Sequence, residues 1–139
     1  MAYSALGPVS VGIYTLLNVA GLTALVGTRI YDDVPQAPTF PFVWYEARMV
    51  TDQRGMGTGA LPEIELRVHS FSTYQGAKEA QEVNQKVIEL LKDKAVTVTG
   101  YMQAGLVFHD EELLLPDEVI NGVKCRELVS RFRIYVQEN

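Results

Sequence analysis

Residues 22–45, LTALVGTRIYDDVPQAPTFPFVWY, contain the change from helix to sheet on which the predicted fold depends. A helical apolar pattern over residues 22–26 ends at a glycine, and the extended residues 29–31 are long enough only for an edge strand. Three prolines then hold residues 32–41 extended and keep them from forming ladder hydrogen bonds. The aromatic and β-branched run 42–50 predicts a strand. The stretch therefore connects a helix to a sheet and has no predicted chemistry of its own.

The N-terminal part of the sequence is uncharged from residue 5 to residue 27, which includes the first residues of this stretch. It predicts a helix over 9–19 and a second, short helix over 22–26. The lack of charge on both faces predicts burial on both sides or contact with a neighbouring subunit. The uncharged run is long enough to span a bilayer, but small and polar residues dilute it, and two short helices fit it better than one span. The first basic residue is Arg29, which does not suit a signal peptide. We therefore expect no membrane insertion.

The sequence after residue 45 predicts a mostly antiparallel sheet. The glycine-rich residues 51–60 separate the first strand from an alternating strand over 63–71. They predict a long, flexible hairpin tip, because the lysine and the helix of a phosphate-binding loop do not follow them. The remaining predicted parts of the sheet are two short strands at residues 96–99 and 106–108, an Asn-Gly turn at 121–122 and a long last strand at 123–136.

The long strands are predicted to have one apolar side and one polar side, because successive side chains point to opposite faces of a sheet. His69 lies on the polar side of its strand, and we expect it to be a surface or interface residue and not a metal ligand. Arg131 and Arg133 lie on the polar side of the last strand. These arginines are predicted either to be solvated or to pair with an acidic surface of an adjacent copy.

Ser72 and Gln75 fit a capping box, which predicts a helix that begins there and runs to Lys92. Apolar residues form one stripe of this helix and charged residues the other, so it is predicted to pack on the sheet by one side. The predicted fold is α+β, a mostly antiparallel β-sheet with two main helices packed on one face. A length of 139 residues predicts a single domain over residues 1–139.

Composition and motifs argue against several classes of function. The net charge of −5 does not suit a general nucleic-acid binder, although it is compatible with a protein that DNA merely passes. A single cysteine, Cys125, excludes an internal disulfide, and no nucleotide-binding or catalytic motif is present. Asp32 and Asp33 are predicted to be solvated loop acids. The acidic residues 109–118 are predicted to form a surface loop that repels DNA or docks on a basic partner.

The order and spacing of these segments resemble those of a known family. The matching segments are Ile13-Tyr14 with Leu16-Leu17, residues 22–27 followed by 29–31, the proline-rich crossing, Pro41-Phe42-Val43, Leu66-x-Val68, the helix 73–92 and the terminal run 132–136. They resemble the tail-completion or tail-terminator proteins of long-tailed bacteriophages and of phage-derived gene-transfer particles. The resemblance covers nearly the whole chain and is most specific over residues 22–45.

The resemblance implies a structural virion protein without cofactors or catalytic residues, assembled in the host cytoplasm. Such a subunit forms a ring, usually a hexamer, at the head-proximal end of the tail tube. The ring stops tube polymerisation and binds the head connector, and genomic DNA passes through its lumen. A head-closure or neck adaptor subunit is the alternative, and a small enzyme that uses His69 or His109 is a third hypothesis. The candidate assembly contacts are Trp44, Arg54, Met56, Asp110, Glu111, Glu112, Arg131 and Arg133.

Overall fold

The computed structural model describes residues 6–54, 60–73, 77–96, 98, 100–103, 106–120 and 122–138. Its helices and strands confirm an α+β fold with a mostly antiparallel sheet. In chain order they are α1 Leu6–Leu17, α2 Ala20–Val26, β1 Ile30–Tyr31, β2 Phe42–Arg54, β3 Ala60–Ser72, α3 Lys78–Leu91, β4 Tyr101–Gln103, β5 Phe108–Leu114, β6 Glu118–Ile120 and β7 Val123–Glu138.

The sheet has the order β1-β2-β3-β7, and β4, β5 and β6 all pair with the far side of the long strand β7. β1 runs parallel to β2, as an edge strand of two residues, and the other described pairs are antiparallel. β2 and β3 pair out to Arg54 and Ala60, whereas the pairing of β3 with β7 begins at Glu63. Residues 52–54 and 60–62 therefore form a two-stranded arm that β7 does not support.

The helices cover one face of this sheet. α1 packs on β2 and on α3, and α3 packs on β3 and β7. Between the layers lie fully buried side chains that include Ile13, Leu17, Leu66, Phe132 and Ile134. Each contributes about 1.5–3 kcal/mol relative to an exposed position. We call the covered side the helix face of the sheet and the other side the outer face.

The uncharged N-terminal segment forms α1 and α2 as predicted, but it is not buried on both sides. Val9, Ile13 and Leu17 are buried, whereas Val11 is 69% exposed on the opposite side of α1. Of the two predicted alternatives, burial on both sides is therefore wrong, because the sheet and α3 cover only one side. Contact of the exposed side with a neighbouring subunit stays a prediction. In the part of the chain that the structure describes, no single helix is long and apolar enough to cross a membrane. The pair α1–α2, bent by 82°, has together the length and composition of a broken span.

The predicted start of the long helix is wrong. Ser72 is the last residue of β3, and the helix α3 begins at Lys78, after Ala77 as a cap without a side-chain hydrogen bond. The hydroxyl of Ser72 instead donates to a carboxylate oxygen of Glu79 at 2.6 Å. The proposed partner Gln75 lies outside the described residues. The strand continues through Ser72, which is buried and pairs with Arg126 of β7.

Two predictions about the segment after α3 are corrected as well. Val96 and Val98 are buried in the core but belong to no strand, and the short strand is β4 at Tyr101–Gln103; Thr97 and Thr99 lie outside the described residues. The acidic segment 109–118 is not a loop, because residues up to Leu114 form the strand β5 along β7. Pairing with an arginine-rich strand offsets the repulsion among its carboxylates.

Both predicted hairpins are confirmed in outline. The glycine-rich hairpin joins β2 to β3, and its strands continue to Arg54 and Ala60, so the connection is shorter than residues 51–60. Residues 55–59 lie outside the described residues. The second hairpin pairs Ile120 with Val123, and Gly122 has a φ of +78°, which suits glycine in a two-residue turn.

Candidate assembly surfaces

The outer face carries an ion-pair network that joins β5 to β7. The Asp110 carboxylate accepts hydrogen bonds from Arg131 Nε at 2.9 Å and from Arg133 Nε at 3.2 Å. Burial acts to raise the pKa of Asp110, but the hydrogen bonds and charges of Arg133 and Arg131 outweigh it and lower the pKa. The two arginines therefore favour the ionised form of the carboxylate, which holds them side by side.

The same network continues across β3 to β2. Arg48 Nε donates to Glu65 at 2.5 Å, Arg131 lies 3.4 Å from the other oxygen of Glu65, and Arg133 lies 3.4 Å from Glu63. Burial acts to raise the pKa of Glu65, and the surrounding arginines, Arg48 first, more than compensate and lower it. These charged side chains, at alternate positions on β2, β3, β5 and β7, form one surface, which we call the charged network.

The charged network includes four of the predicted contact residues and pairs them within the chain. Asp110 pairs with both Arg131 and Arg133, and Glu111 lies 3.6 Å from Arg131 with a side chain that is 55% exposed. Arg131 and Arg133 are therefore not simply solvated, because both pair with Asp110 within the chain. Their pairing with an adjacent copy stays a prediction. Sequence reasoning missed Glu63, Glu65 and Arg48, which the strand register places beside the arginines.

Glu112 points away from this network, toward α3. Its carboxylate accepts a hydrogen bond from Asn84 Nδ2 at 2.7 Å, and the Oδ1 of Asn84 accepts one from the Ser130 hydroxyl. Asn84 and Ser130 are buried. Glu112 therefore helps to fix α3 on the sheet, a role that its position in an acidic run does not indicate.

His69 is also placed differently from its prediction. It is 8% exposed, its ring stacks on Trp44 with 4.3 Å between centroids, and its Nδ1 hydrogen-bonds the Glu127 carboxylate. Its Nε2 lies 3.8 Å from Glu46. Of the two predicted alternatives, a surface position is wrong, because aromatic side chains at neighbouring strand positions cover the ring on the outer face. An interface position stays a prediction.

Besides His69, Glu127 has a second neighbour, the carboxyl group of Glu118. Burial, then a hydrogen bond to Glu127 and repulsion by it, raises the pKa of Glu118. Burial also raises the pKa of the Cys125 thiol, with added effects of Glu118 and Glu127. Cys125 is 2% exposed and packs with Phe42 and Phe71, as expected for a small apolar residue in a strand.

Trp44 lies at the wall of an open groove at one end of the hairpin. Its Nε1 donates to the backbone oxygen of Asp32 at 3.1 Å, and the side chain is partly buried. The groove has a volume of about 330 Å³ and is lined by Trp44, Phe42, Phe71 and Ile120 together with the proline-rich crossing. The exposed acids Asp32 and Asp33 also line it, as the sequence predicted for loop acids.

The other end of the same hairpin carries Arg54 and Met56. Arg54 is the last residue of β2, and its side chain is not described. Met56 lies outside the described residues. Arg54 lies ten positions after Trp44 along β2, which corresponds to about 33 Å at roughly 3.3 Å per residue. The structure therefore does not bring Arg54 to Trp44 within one chain.

Exposed large apolar side chains form two further surfaces. The first, which we call the helix patch, consists of Val11, Tyr14, Val19 and Leu25 on α1–α2. The second set, which we call the strand patch, consists of Leu106, Phe108, Leu113, Leu114, Val119 and Val123 along the far side of β7. It lies on both faces of the sheet edge, because Leu113 pairs with Val129 of the outer face and Leu114 pairs with Leu128 of the helix face. Among the residues whose exposure is described, only Met49 is a further exposed large apolar side chain outside the two patches.

Groups that suggest metal chemistry are not found in the described part of the chain. Within the described ranges, no set of three or more His, Cys, Asp or Glu side chains is placed to hold a metal ion. His109 contacts Phe132 through its ring, at 5.1 Å between centroids, and lies on the opposite face of the sheet from His69, because their partners on β7 are Phe132 and Val129. The notable features are therefore surfaces and ion pairs.

Comparison with known proteins agrees with a structural role. The sequence matches the model of the family described as Tail completion protein gp17 over residues 13–137. A chain of a solved structure, described as the virion of a native gene transfer agent (GTA) particle, has the same fold, with a TM-score of 0.81 and 21% identity. The match covers 98% of this chain and 99% of that chain. A search of curated proteins finds no match. The chain therefore belongs to the phage tail completion protein family, whose members are structural proteins of the virion tail.

Proposed function

We propose that this protein forms a closed ring, of six subunits, at the head-proximal end of the tail tube. There it ends tube polymerisation and joins the tail to the head connector. Membership of the tail completion family supports the location in the virion tail. The observation that carries the ring is the division of the exposed apolar side chains into two different patches, the helix patch and the strand patch. Rings are built from two different surfaces that meet head to tail.

The ends of the β2–β3 hairpin are the proposed contacts with the axial partners, the tail tube protein and the head-completion protein. The arm carries Arg54 beyond the described pairing of β3 with β7, and the aromatic groove at the opposite end carries Trp44. Met56 follows Arg54 by two positions in the sequence and lies outside the described residues. A two-stranded ribbon has little stability by itself. Contact with a partner would therefore stabilise the arm in the assembled tail.

The charged network is proposed as a third contact surface. Its acids are largely buried, whereas the side chains of Arg48 and Arg67 are 68% and 43% exposed. On β5, Glu111 is the acid that remains exposed, and Arg131, which also pairs with Asp110, lies beside it. Glu112 fixes β5 to α3. Such a surface contributes more to the register and specificity of a contact than to its affinity.

Genomic DNA is proposed to pass through the ring lumen without specific binding. The chain has 12 basic and 17 acidic residues, and four of its arginines are already paired with carboxylates on the outer face. DNA affinity depends mainly on free basic groups that replace counterions at the phosphates. A subunit of this composition suits a conduit along which DNA slides.

The native mass of the purified protein, alone and with tail tubes, tests the proposal. We expect an assembly of six times the 15.5 kDa subunit mass and a ring at one end of each tube in electron micrographs. Tubes polymerised with the protein should have a limited length. A protein that stays monomeric and never binds tube ends would contradict the proposal.

Labelling separates a tail terminator from a neck adaptor. A gold-labelled terminator stays with head-less tails when heads and tails are purified from particles that failed to join. An adaptor subunit stays with tail-less heads. Label on heads alone would reassign this protein to the neck.

A further inference from the structure

We infer that the two open edges of the sheet pair with each other between subunits, so that β5 of one copy lies along β2 of the next copy and continues its sheet. This inference rests on the proposed function, because it names the surfaces through which the ring subunits join. The occupant of each edge is a second copy of this chain, and main-chain hydrogen bonds form the centre of the contact.

The strand β2 has an open edge because its neighbour β1 is much shorter. β1 pairs with only two residues of β2, which has 13. The N–H group of Val43 donates to the carbonyl oxygen of Arg29 at 3.0 Å, so the main-chain groups of Val43 point away from β3. Successive residues of a strand point these groups to alternate edges. Those of Ala47 and Met49 therefore point the same way as Val43, and no described strand lies beside them.

The strand β5 forms the opposite open edge, since β7 is its only neighbour among the described strands. The N–H group of Leu115, which follows β5, donates to the carbonyl oxygen of Glu127 on β7 at 2.9 Å. By the same alternation, the main-chain groups of Leu114 and Glu112 point away from β7. This edge therefore offers two residues with open donors and acceptors, as β2 does. Open edges of this kind are templates for pairing with another chain.

The two edges cannot meet within one chain. The order β2-β3-β7-β5 separates them by three strand spacings, or roughly 14 Å, and they face away from each other. Each step in this order is antiparallel, so β5 runs antiparallel to β2. A rotation about an axis close to the strand direction keeps that relation between neighbouring copies. Each contact then joins two different surfaces, as a closed ring requires.

The open residues of both edges have their side chains on the helix face of the sheet. They are Ala47, Met49, Glu112 and Leu114, whose partners in the described ladder are Leu66, Ile64, Ser130 and Leu128. Residues that exchange hydrogen bonds in an antiparallel pair lie opposite each other with their side chains on the same face. Pairing of the edges therefore puts Ala47 opposite Leu114 and Met49 opposite Glu112, with about four hydrogen bonds. It also keeps the helices of neighbouring copies on one side of the continued sheet.

The side chains beside the edges agree with this register. Arg48 lies opposite Leu113 on the outer face, with Glu111 at the diagonal position, which is within reach of a long side chain. The side chains of Arg48 and Glu111 are 68% and 55% exposed and have opposite charges. On the helix face, Met49 lies diagonal to Leu114, and both are exposed apolar side chains. The pairing therefore covers Met49, which belongs to neither patch.

Two proline variants, Ala47→Pro and Leu114→Pro, test the pairing. The N–H groups of both residues point outward, so proline removes no ladder hydrogen bond within the chain. Its ring and the lost donor block the approach of a neighbouring strand. Circular dichroism and the melting temperature check that the fold is kept. The control, Ala37→Pro, makes the same change at an exposed position of the proline-rich crossing, outside both edges.

Native mass spectrometry of the separate and mixed variants distinguishes the arrangements. We expect each variant alone to be monomeric and the control to form the ring. A one-to-one mixture should give a dimer of one copy of each variant, because the intact β5 edge of Ala47→Pro pairs with the intact β2 edge of Leu114→Pro. A folded variant that still forms the ring, or a mixture of folded variants that stays monomeric, would overturn the inference.

Hydrogen exchange of the wild-type ring, measured residue by residue, tests the pairing without any variant. We expect the outward amides of Ala47, Met49, Glu112 and Leu114 to exchange about tenfold or more slowly in the ring than in the same protein diluted to the monomer. The amide of Arg48, which points to β3, should change little. Fast exchange of all four outward amides in the ring would also overturn the inference.

The failure of this inference differs from the failure of the proposed function. A wild-type ring that keeps its outward amides unprotected, and that both proline variants still form, would contradict only the edge pairing. A wild-type protein that forms no ring, either alone or on tail tubes, would contradict both. Where the wild-type ring forms only on tail tubes, ring density at tube ends is compared in electron micrographs, and both variants should lose it while the control keeps it.

Discussion

The imidazole of His69 hydrogen-bonds the carboxylate of Glu127 inside the outer face of the sheet, where both side chains are almost fully buried. The two residues lie on adjacent strands, β3 and β7, and the ring of Trp44 covers the histidine. A partner lost from a buried pair leaves the other group without compensation for its desolvation. The pair therefore contributes to the stability of the outer face.

We predict that His69→Ala lowers the free energy of unfolding by about 2–4 kcal/mol, because Glu127 then stays buried without its partner. Urea denaturation at pH 7 measures the loss. The control Gln81→Ala, at an exposed position of α3, should change stability by less than about 0.5 kcal/mol. The His69→Ala protein should still assemble below its melting temperature. Loss of assembly without loss of stability would instead support a direct functional role for the histidine.

Acid should destabilise the charged network. The pKa values of Glu65 and Asp110 are lowered in the folded protein from ordinary values of 4.5 and 3.8. A lowered pKa means that the stabilisation is present above the ordinary pKa and is lost as the pH falls through the folded pKa. The free energy of unfolding should therefore decrease below about pH 4.5. Urea denaturation from pH 7 to pH 3 should show a flatter decrease for Glu65→Gln with Asp110→Asn, and an unchanged slope would contradict this account.

Glu118 should have the opposite pH dependence. Its pKa is raised in the folded protein, so its contribution is present below the ordinary value of 4.5 and is lost as the pH rises through the folded pKa. Glutamine at this position keeps a donor for Glu127 and carries no charge. Glu118→Gln should therefore be more stable than the wild type at pH 7 and equally stable near pH 4. A variant that is less stable at pH 7 would show that the charged form of Glu118 is stabilising.

Asn84 should be as sensitive as an apolar core residue, although it is polar. It connects Ser130 of β7 to Glu112 of β5 from its position on α3. Asn84→Ala leaves a buried hydroxyl without this partner, and we predict a loss of about 1–3 kcal/mol of unfolding free energy by urea denaturation. The double variant with Ser130→Ala should lose less than the sum of the single changes. Additive losses would show that the two side chains act independently.

The parts of the fold that follow local periodicity were predictable from the sequence. The alternating strands β2, β3 and β7 and the amphipathic helix α3 lie where the pattern indicates. β5 was not predictable, because its run of acids hides the alternation and a register shift between His109 and Glu111 interrupts it. Its stability comes from arginines about 20 residues away on β7.

The arrangement of the candidate surfaces depends on register and packing that sequence spacing does not contain. The burial of His69 requires aromatic side chains from the neighbouring strand β2, and the pairing of Asp110 requires β5 to lie beside β7. The helix patch could be found in part, since an uncharged helix with one packed side predicts a partner for the other side. The strand patch could not, because its residues come from β5, β6 and the connections around them.

Residues 54–60, which lie between the paired residues Gln53 and Leu61 of the arm, should be dispensable for folding and required for assembly. The variant that tests this replaces residues 54–60 by Asn-Gly, so that the paired residues Gln53 and Leu61 flank a two-residue turn. Because β7 supports β3 only from Glu63 onward, the removed residues make no described pairing with the rest of the sheet. The melting temperature should therefore stay within a few degrees of the wild-type value, since a change of about 1 kcal/mol shifts it by roughly 3–6 °C.

If the arm contacts the tail tube or the head connector, the shortened protein should remain soluble while heads and tails fail to join. Joining is counted in electron micrographs of particles assembled with each protein. Arg54→Glu, which keeps the arm and reverses one charge, separates the effect of charge from that of length. A large fall in melting temperature would show that the arm packs into the core. Normal joining by the shortened protein would move the axial contact to the groove at Trp44, because the groove is the other end of the same two strands.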